Sequence, residues 1–196
     1  TSGFDSQLNQ AFAQLKADNV SNLVVDLRYN GGGSVRSATH LGSMITGQFS
    51  NDIFTKQRWN EKVMNAVNSE SLIERFVSKL PNEESINSLN LSKVYFITTG
   101  STASASELVM IGLLPHINVQ SVGTRTVGKY VGSLTLYDSP SFYSKTDINS
   151  NHNYAMQPIA LELVNKANYN DKDGIDPTVE LPENYGDLGV LGDENE

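Results

Sequence analysis

The chain has 196 residues, of which 38% are hydrophobic and 18% are charged, a composition that predicts one globular domain able to bury a single core. Its 14 basic residues are scattered and are outnumbered by 22 acidic ones, so the formal charge of -8 argues against a nucleic-acid or anionic-membrane partner. No apolar run is long enough to cross a bilayer, and the absence of cysteine is compatible with an oxidising compartment.

The first half of the chain begins with a helical pattern and continues with a strand that ends in glycines. Apolar residues at helical spacing predict an amphipathic first helix: Phe4, Leu8, Phe12 and Leu15. The run from Leu23 to Leu27 predicts a short buried strand, and the glycines of "NLVVDLRYNGGG" then free the backbone to turn or to approach a ligand. Helices are predicted for "SVRSATHLGSMITG" and for "QRWNEKVMNAVNSESLIERFVSKLP", the second ending before Pro81.

The second half repeats the order of strand, turn and helix. The segment "KVYFITTG" predicts a strand, "STASAS" a turn of small residues and "ELVMIGLL" a helix. Because both turns follow the carboxyl end of a strand in an α/β sheet, we expect them to face one crevice. Strands are then predicted for "INVQSVG", "SLTLY" and "QPIALELVN", and "NYNDKDGIDP" is predicted to be a polar loop.

The stretch "GTRTVGKY" differs by one residue from a phosphate-binding loop, which would end in Gly, Lys and then Ser or Thr. Tyr130 takes the place of the Ser or Thr whose hydroxyl would bind magnesium. Strand-forming residues follow Lys129, whereas a phosphate loop must open a helix whose N–H groups point at the anion. The pattern argues against a nucleotide site and leaves Lys129 in need of another role.

Ser104 lies in the turn "STASAS" before the predicted helix "ELVMIGLL", and two roles compete for it. With Glu107 it has the Ser-x-x-Glu spacing of a capping box, which would make it a helix cap only. A serine at a strand-to-helix turn also lies where helix N–H groups stabilise a negative oxygen, which suits a nucleophile. The three histidines, His40, His116 and His152, lie in no recognisable catalytic or zinc-binding motif, so a lysine remains as the candidate base.

A lysine that acts as a base needs surroundings that favour its neutral amine. A lysine side chain in water stays protonated up to pH about 10, so a lysine that accepts a proton near neutral pH must be buried or lie beside another positive charge. Lys129 lies in an uncharged stretch, with Arg125 close in sequence. We therefore expect Lys129 to be buried or to lie near the Arg125 guanidinium.

Four motifs occur in the order and spacing found in the S41 peptidases: "DLRYNGGG", "TASASE", "GTRTVGK" and "DGIDPTVEL". The chain resembles the tail-specific, or C-terminal-processing, proteases of that family from its first helix to Pro177. The resemblance implies an α/β fold of the ClpP/crotonase type, with a mixed sheet and ββα units. It implies that residues 1–196 form one S41 catalytic core, truncated relative to family members that carry a PDZ domain and N-terminal parts.

The resemblance also implies an activity and the residues that perform it. The chain would be a serine endopeptidase that hydrolyses peptide bonds in unfolded or C-terminal segments of proteins, without metal or cofactor. Ser104 would be the nucleophile and Lys129 its general base. The oxyanion hole would be built from the backbone N–H groups of Ala105 and of Gly32 or Gly33, and donors of this kind need no side chain.

Two further residues match supporting positions of the family, and two positions close to the lysine depart from it. Glu107 would cap the helix of the nucleophile and Thr126 would position the lysine, although both could have a purely structural role. Many family members have Gly directly after the lysine and Gln four positions after it, where this chain has Tyr130 and Ser133. Ser133 or Gln157 would have to replace that Gln in orienting the lysine.

The resemblance further implies a partner and a location. The partner would be a protein or peptide substrate, bound as an added strand along the site, while the sequence does not specify an oligomeric state. The location would be extracytoplasmic in a bacterium: periplasmic, secreted or anchored as a lipoprotein. The alternative is a catalytically degenerate S41-like module that binds a peptide or another ligand. Retention of Ser104, Lys129 and the triple glycine favours the peptidase.

Overall fold

The computed structural model describes residues 2–186, and within them the strands form two four-stranded sheets and one two-stranded ribbon. The helices are α1 (Asp5–Ala17), α2 (Val35–Thr46), α3 (Glu61–Ala66) and α4 (Ala105–Leu113). The strands are β1 (Val24–Asp26), β2 (Ile53–Trp59), β3 (Ile73–Arg75), β4 (Lys93–Thr98), β5 (Asn118–Gly123), β6 (Val131–Ser133), β7 (Leu136–Tyr137), β8 (Ala155–Met156), β9 (Ile159–Asn165) and β10 (Val179–Glu180). Single 3-10 turns span Ser2–Phe4 and Ser69–Leu72.

The first sheet is parallel and positions both turns that the sequence singles out. Its strand order is β1-β4-β5-β10, and β1 pairs with β4 along Val24↔Tyr95 to Asp26↔Ile97. Parallel neighbours end at the same edge of a sheet, so the glycine turn after β1 and the small-residue turn after β4 leave side by side. The predicted crevice is therefore confirmed at the carboxyl edge of this sheet.

The second sheet is antiparallel, in the order β3-β2-β9-β6. The β6 strand lies at its edge and pairs with β9, while β7 and β8 continue the same two chain segments as a ribbon. Parallel and antiparallel sheets together confirm the predicted mixed α/β architecture. None of the described helices is long and apolar enough to cross a membrane.

The helix prediction for residues 57–80 is largely wrong. Residues 57–59 belong to β2, which pairs with β9 from Thr55↔Asn165 to Trp59↔Leu161, and this tertiary pairing overrides the local helical pattern. Only α3 and a 3-10 turn remain helical, and α3 has no buried residue that could stabilise a longer helix. Asn60 and Asn68 each accept a hydrogen bond at an N-cap and so divide the segment into short pieces.

The core packs α2 and α4 against the second sheet around the ring of Phe54, which is fully buried. Two helical glycines make room for this ring. A Cβ built at Gly42 would lie 2.8 Å from a ring carbon of Phe54, and one built at Gly112 would lie 2.4 Å from the same carbon. The α4 helix is held tightly by this packing, and the residue that begins it is therefore precisely placed.

Candidate active site

The glycine turn after β1 touches the turn that begins α4. Gly32 has a φ of +92°, and a Cβ there would lie 2.5 Å from the carbonyl oxygen of Ala103 and 2.6 Å from the nitrogen of Ala105. Only glycine fits so close an approach with this backbone conformation. The Ala103 N–H donates to the carbonyl of Asn30 over 3.0 Å, so a hydrogen bond also joins the two turns.

Ser104 occupies the N-cap position of α4 in a strained conformation. Its φ of +61° and ψ of -119° lie outside the regions that a serine ordinarily adopts, at a typical cost of about 1–3 kcal/mol. The surrounding turn maintains this strain, and the residue stays half-buried. A sharp strand-to-helix turn with a strained serine at its apex is the geometry that presents a nucleophile.

The carboxylate of Glu107 joins the serine turn to the lysine loop. The side chain is only 4% exposed. Its Oε2 accepts from the N–H of Ser104 at 2.7 Å and from the N–H of Lys129 at 2.9 Å. Its Oε1 accepts from the Thr126 hydroxyl at 2.5 Å and from the Gly128 N–H at 2.6 Å. The structure thus brings four of the sequence-selected residues together, because one buried carboxylate binds both chain segments.

Thr126 also connects the lysine loop to the loop that precedes β10. Its buried hydroxyl accepts from the N–H of Ile175 at 2.8 Å while it donates to Glu107. Gly128 has a φ of +82°, and a Cβ there would lie 2.4 Å from the carbonyl oxygen of Lys172. The motif "DGIDPTVEL" and the residue before it therefore pack against the lysine loop, a contact that the sequence did not reveal.

The candidate oxyanion donors differ in their hydrogen bonding. The N–H of Gly32 donates to Oδ1 of Asn30 at 3.0 Å and is therefore occupied. Within residues 2–186 no protein acceptor receives the N–H of Gly33 or of Ala105. Both residues line one cavity of about 270 Å³ whose walls also include Leu27 and Leu41. The N–H groups of Gly33 and Ala105 are therefore the two candidate donors without a protein acceptor, whereas the N–H of Gly32 is occupied by Asn30.

Lys129 is exposed, which corrects the expectation that it would be buried. Its backbone is fixed by Glu107, yet within the described part of the chain its ammonium group has no hydrogen-bond or ion-pair partner. Arg125 does not lie beside it as a free charge, because its guanidinium pairs with Asp176 at 2.6 Å. The side chain of Lys129 is therefore neither buried nor placed beside an unpaired positive charge of Arg125.

The remaining candidates lie apart from Ser104. Among the described residues, none of the three histidines forms a hydrogen bond with the serine: His40 pairs with Asp5 at 2.7 Å, His116 binds the carbonyl of Ile53 at 3.0 Å, and His152 binds a carboxylate on a distant hairpin. Ser133 and Gln157 are both exposed, and in residues 2–186 neither hydrogen-bonds the lysine. The role of Asn30 was missed, because an asparagine directly before a run of glycines is common in turns and gives no distinctive signal.

Comparison with known proteins provides an independent result. Residues 1–181 match the model of peptidase family S41, while a search of curated proteins finds no match. A structure from Bacteroides fragilis NCTC 9343, described as an S41 protease, is similar with a TM-score of 0.75 and 28% identity. The photosystem II D1 C-terminal processing protease is similar with a TM-score of 0.62 and 20% identity. A lipoprotein from Streptococcus agalactiae is similar with a TM-score of 0.61 and 17% identity.

The shared region is a part of each of these structures. The match covers 92% of this chain and 43% of the Bacteroides fragilis protein, 93% and 40% for the D1 processing protease, and 92% and 57% for the lipoprotein. The chain therefore spans about half the length of the structures it matches or less.

Proposed function

Because the chain belongs to peptidase family S41, we propose that its crevice is the active site of a serine peptidase in which Ser104 is the nucleophile and Lys129 the general base. The observation that carries this proposal is the shared acceptor Oε2 of Glu107. It lies 2.7 Å from the nitrogen of Ser104 and 2.9 Å from that of Lys129, so the two nitrogens are less than about 6 Å apart. The nucleophile and its base are held on neighbouring backbones.

The exposed position of the lysine side chain is compatible with this role. Lysine carries its amine on a flexible four-carbon stem, and we propose that rotation of this stem brings Nζ of Lys129 to Oγ of Ser104 when the substrate binds. Catalytic hydrogen bonds are often absent in unliganded enzymes and form when the substrate binds. A peptide lying in the crevice would cover the amine, and the resulting desolvation favours the neutral form that a base requires.

The proposed reaction has two steps. Oγ of Ser104 attacks the carbonyl carbon while its proton moves to the neutral amine of Lys129, and the negative oxygen is stabilised by the N–H groups of Gly33 and Ala105. The tetrahedral intermediate collapses, the C–N bond breaks, and the ammonium of Lys129 donates its proton to the leaving amine. Water then attacks the acyl-enzyme with the same lysine as base, and the proton returns to Ser104.

The substrate is proposed to be an unfolded or C-terminal segment of a protein. This proposal draws on the similarity to a C-terminal processing protease and on the open edge of β6, which begins two residues after Lys129. An extended peptide can pair with such an edge as an added strand. Similarity to a bacterial lipoprotein supports an extracytoplasmic location.

A second candidate is a binding module that retains the crevice without catalysis. The observation that favours it is the unpartnered ammonium of Lys129 within the described residues. The two candidates differ in their reaction with a fluorophosphonate probe. Serine Oγ bonds to phosphorus, and the P–F bond breaks with release of fluoride, only when a base removes the serine proton. A peptidase incorporates the probe at Ser104, as located by mass spectrometry, and loses this labelling in Lys129→Ala. A binding module remains unlabelled while a peptide still binds.

A further inference from the structure

A hairpin arm extends from the loop that carries the proposed base. We call residues 131–165 the hairpin arm, since β6 and β7 run along one side and β8 and β9 along the other. The pairs Ser133↔Ile159 and Leu136↔Met156 keep one continuous antiparallel register between the two sides. The arm begins two residues after Lys129.

The far part of the arm encloses an aromatic cavity of about 520 Å³. Its walls include Tyr137, Phe142, Tyr143 and Tyr154, with Asp138 and His152 beside them. The aromatic side chains are unusually exposed, with Phe142 at 60%, Tyr143 at 71% and Tyr154 at 84%. This volume lies within the range of ligand sites in proteins, and exposed aromatic groups that converge on one cavity mark an interaction site.

The cavity is held open by hydrogen bonds within the arm. The Asn149 side chain donates to Oδ2 of Asp138 at 2.9 Å, and its N–H donates to the Asp138 carbonyl at 2.8 Å. The buried hydroxyl of Ser139 donates to the carbonyl of Ser144 at 2.8 Å. These contacts fix the turn between β7 and β8, so the aromatic walls stand apart from one another.

The electrostatic character of the cavity favours a cation. Hydrogen bonds from Asn149 and His152 lower the pKa of the Asp138 carboxyl, which therefore stays negative at neutral pH. No lysine or arginine lines the cavity in the part of the chain that the structure describes. The faces of the tyrosine rings add negative potential. Outside this cavity, Nζ of Lys145 lies 5.6 Å from the centroid of the Tyr137 ring, so this ring already contacts one cation of the chain.

We propose that this cavity is a distal subsite that binds a lysine or arginine side chain of the peptide substrate, with the apolar stem against the rings and the cation near Asp138. The inference rests on the proposed peptidase function. Leu136 is seven residues beyond Lys129, a separation of up to about 23 Å in an extended strand. A substrate strand along the open edge of the arm would place its cationic residue about seven residues from the scissile bond.

Ligand binding tests the subsite without requiring catalysis. Nα-acetyl-lysine amide and Nα-acetyl-norleucine amide differ in the ammonium group but share the same stem, and binding to the Ser104→Ala chain can be followed by NMR of ¹³C-labelled tyrosine rings. We expect saturable shifts with the lysine amide and binding at least about tenfold weaker for the norleucine amide. Equal binding of the two amides, or binding of neither, would overturn the proposal.

Two variants locate the binding. Asp138→Asn retains the shape of the side chain and removes its charge, and we expect it to abolish the preference for lysine over norleucine. Because Asp138 also organises the turn, Tyr154→Leu is the second variant: its ring is 84% exposed, so its loss leaves the fold intact while it weakens lysine binding several-fold. Unchanged lysine binding in a folded Tyr154→Leu chain would place the ligand elsewhere and refute the assignment.

Hydrolysis of unfolded peptides separates this inference from the proposed function. A series that carries a single Lys or Glu four to nine residues from the cleaved bond should show a lower KM for Lys at about the seventh position. Tyr154→Leu should lose this difference and keep kcat. If no peptide is cleaved but the lysine amide binds, the peptidase proposal fails and the cation site stands. If peptides are cleaved without preference at any position, the subsite is wrong and the peptidase stands.

Discussion

Replacement of Glu107 by Gln tests whether one carboxylate holds the catalytic elements together. Each oxygen of the carboxylate accepts two hydrogen bonds. Oε2 accepts from the N–H groups of Ser104 and Lys129, and Oε1 accepts from the Thr126 hydroxyl and the Gly128 N–H. A glutamine presents an NH2 group to one of these pairs, whichever way the amide is oriented. The Thr126 hydroxyl can turn to accept from this group, but at least one backbone N–H loses its acceptor.

The expected loss follows from these contacts. An unsatisfied buried donor costs about 1–3 kcal/mol, and the remaining hydrogen bonds to a neutral amide are weaker than those to a carboxylate. Relief from burying a charge offsets part of this loss. We therefore expect Glu107→Gln to lower the free energy of unfolding by about 2–4 kcal/mol, measured by urea denaturation. Peptidase activity should fall more through kcat than through KM, because the base is displaced from the nucleophile.

A matched substitution separates this effect from loss of charge alone. Glu180 is exposed on β10. Glu180→Gln should therefore have a free energy of unfolding within about 0.5 kcal/mol of that of the native chain. If Glu107→Gln were equally stable and equally active, the four hydrogen bonds would contribute nothing to either property. That result would refute the role assigned to the carboxylate.

Three further predictions concern the turn, the core and pH. Gly32→Ala should abolish peptide hydrolysis in a chain that still folds, because the new Cβ would lie about 2.5 Å from the serine turn. A Cβ at Gly33 meets nothing within 4 Å, so Gly33→Ala should fold as well as the native chain. Circular dichroism measures the folding of both variants, and a hydrolysis assay measures their activity. Gly112→Ala should lower the free energy of unfolding by about 2 kcal/mol, because its Cβ would overlap the Phe54 ring. Burial lowers the pKa of His116 below 6.5, so as the pH falls the unfolded state binds this proton before the folded state does. The free energy of unfolding should therefore decrease as the pH drops below about 6.5. Denaturation curves at pH 5 and 7 measure this decrease, and it should be smaller in His116→Gln.

Local patterns in the sequence predicted the parts of the fold that short segments determine. The strand, turn and helix order around β1 and β4 follows from apolar runs that end in glycines or small residues, and parallel pairing then places both turns at one edge. Ser104 and Lys129 were selected by motif, and their neighbouring backbones are consistent with that choice. These features depend on residues that lie close together in the chain.

Features that depend on tertiary contacts could not be read from the sequence. Residues 57–59 have a helical pattern but pair with β9, a segment about one hundred residues away. The side chain of Asn30 occupies the N–H of Gly32, so only three-dimensional contacts distinguish Gly32 from Gly33. Lys129 is exposed because its loop is held by its backbone rather than by its side chain. No spacing of residues reports which of these atoms are already hydrogen-bonded.

The proposed pairing of Ser104 with Lys129 is tested by the rate at which the protein hydrolyses fluorescently labelled unfolded casein. The native chain is compared with Ser104→Ala, with Lys129→Ala and with Lys62→Ala, which removes an exposed lysine of α3 as a control. We expect the first two substitutions to lower kcat by at least about a thousandfold and the control to retain the native rate. Undiminished hydrolysis by Ser104→Ala or Lys129→Ala would contradict the proposed dyad.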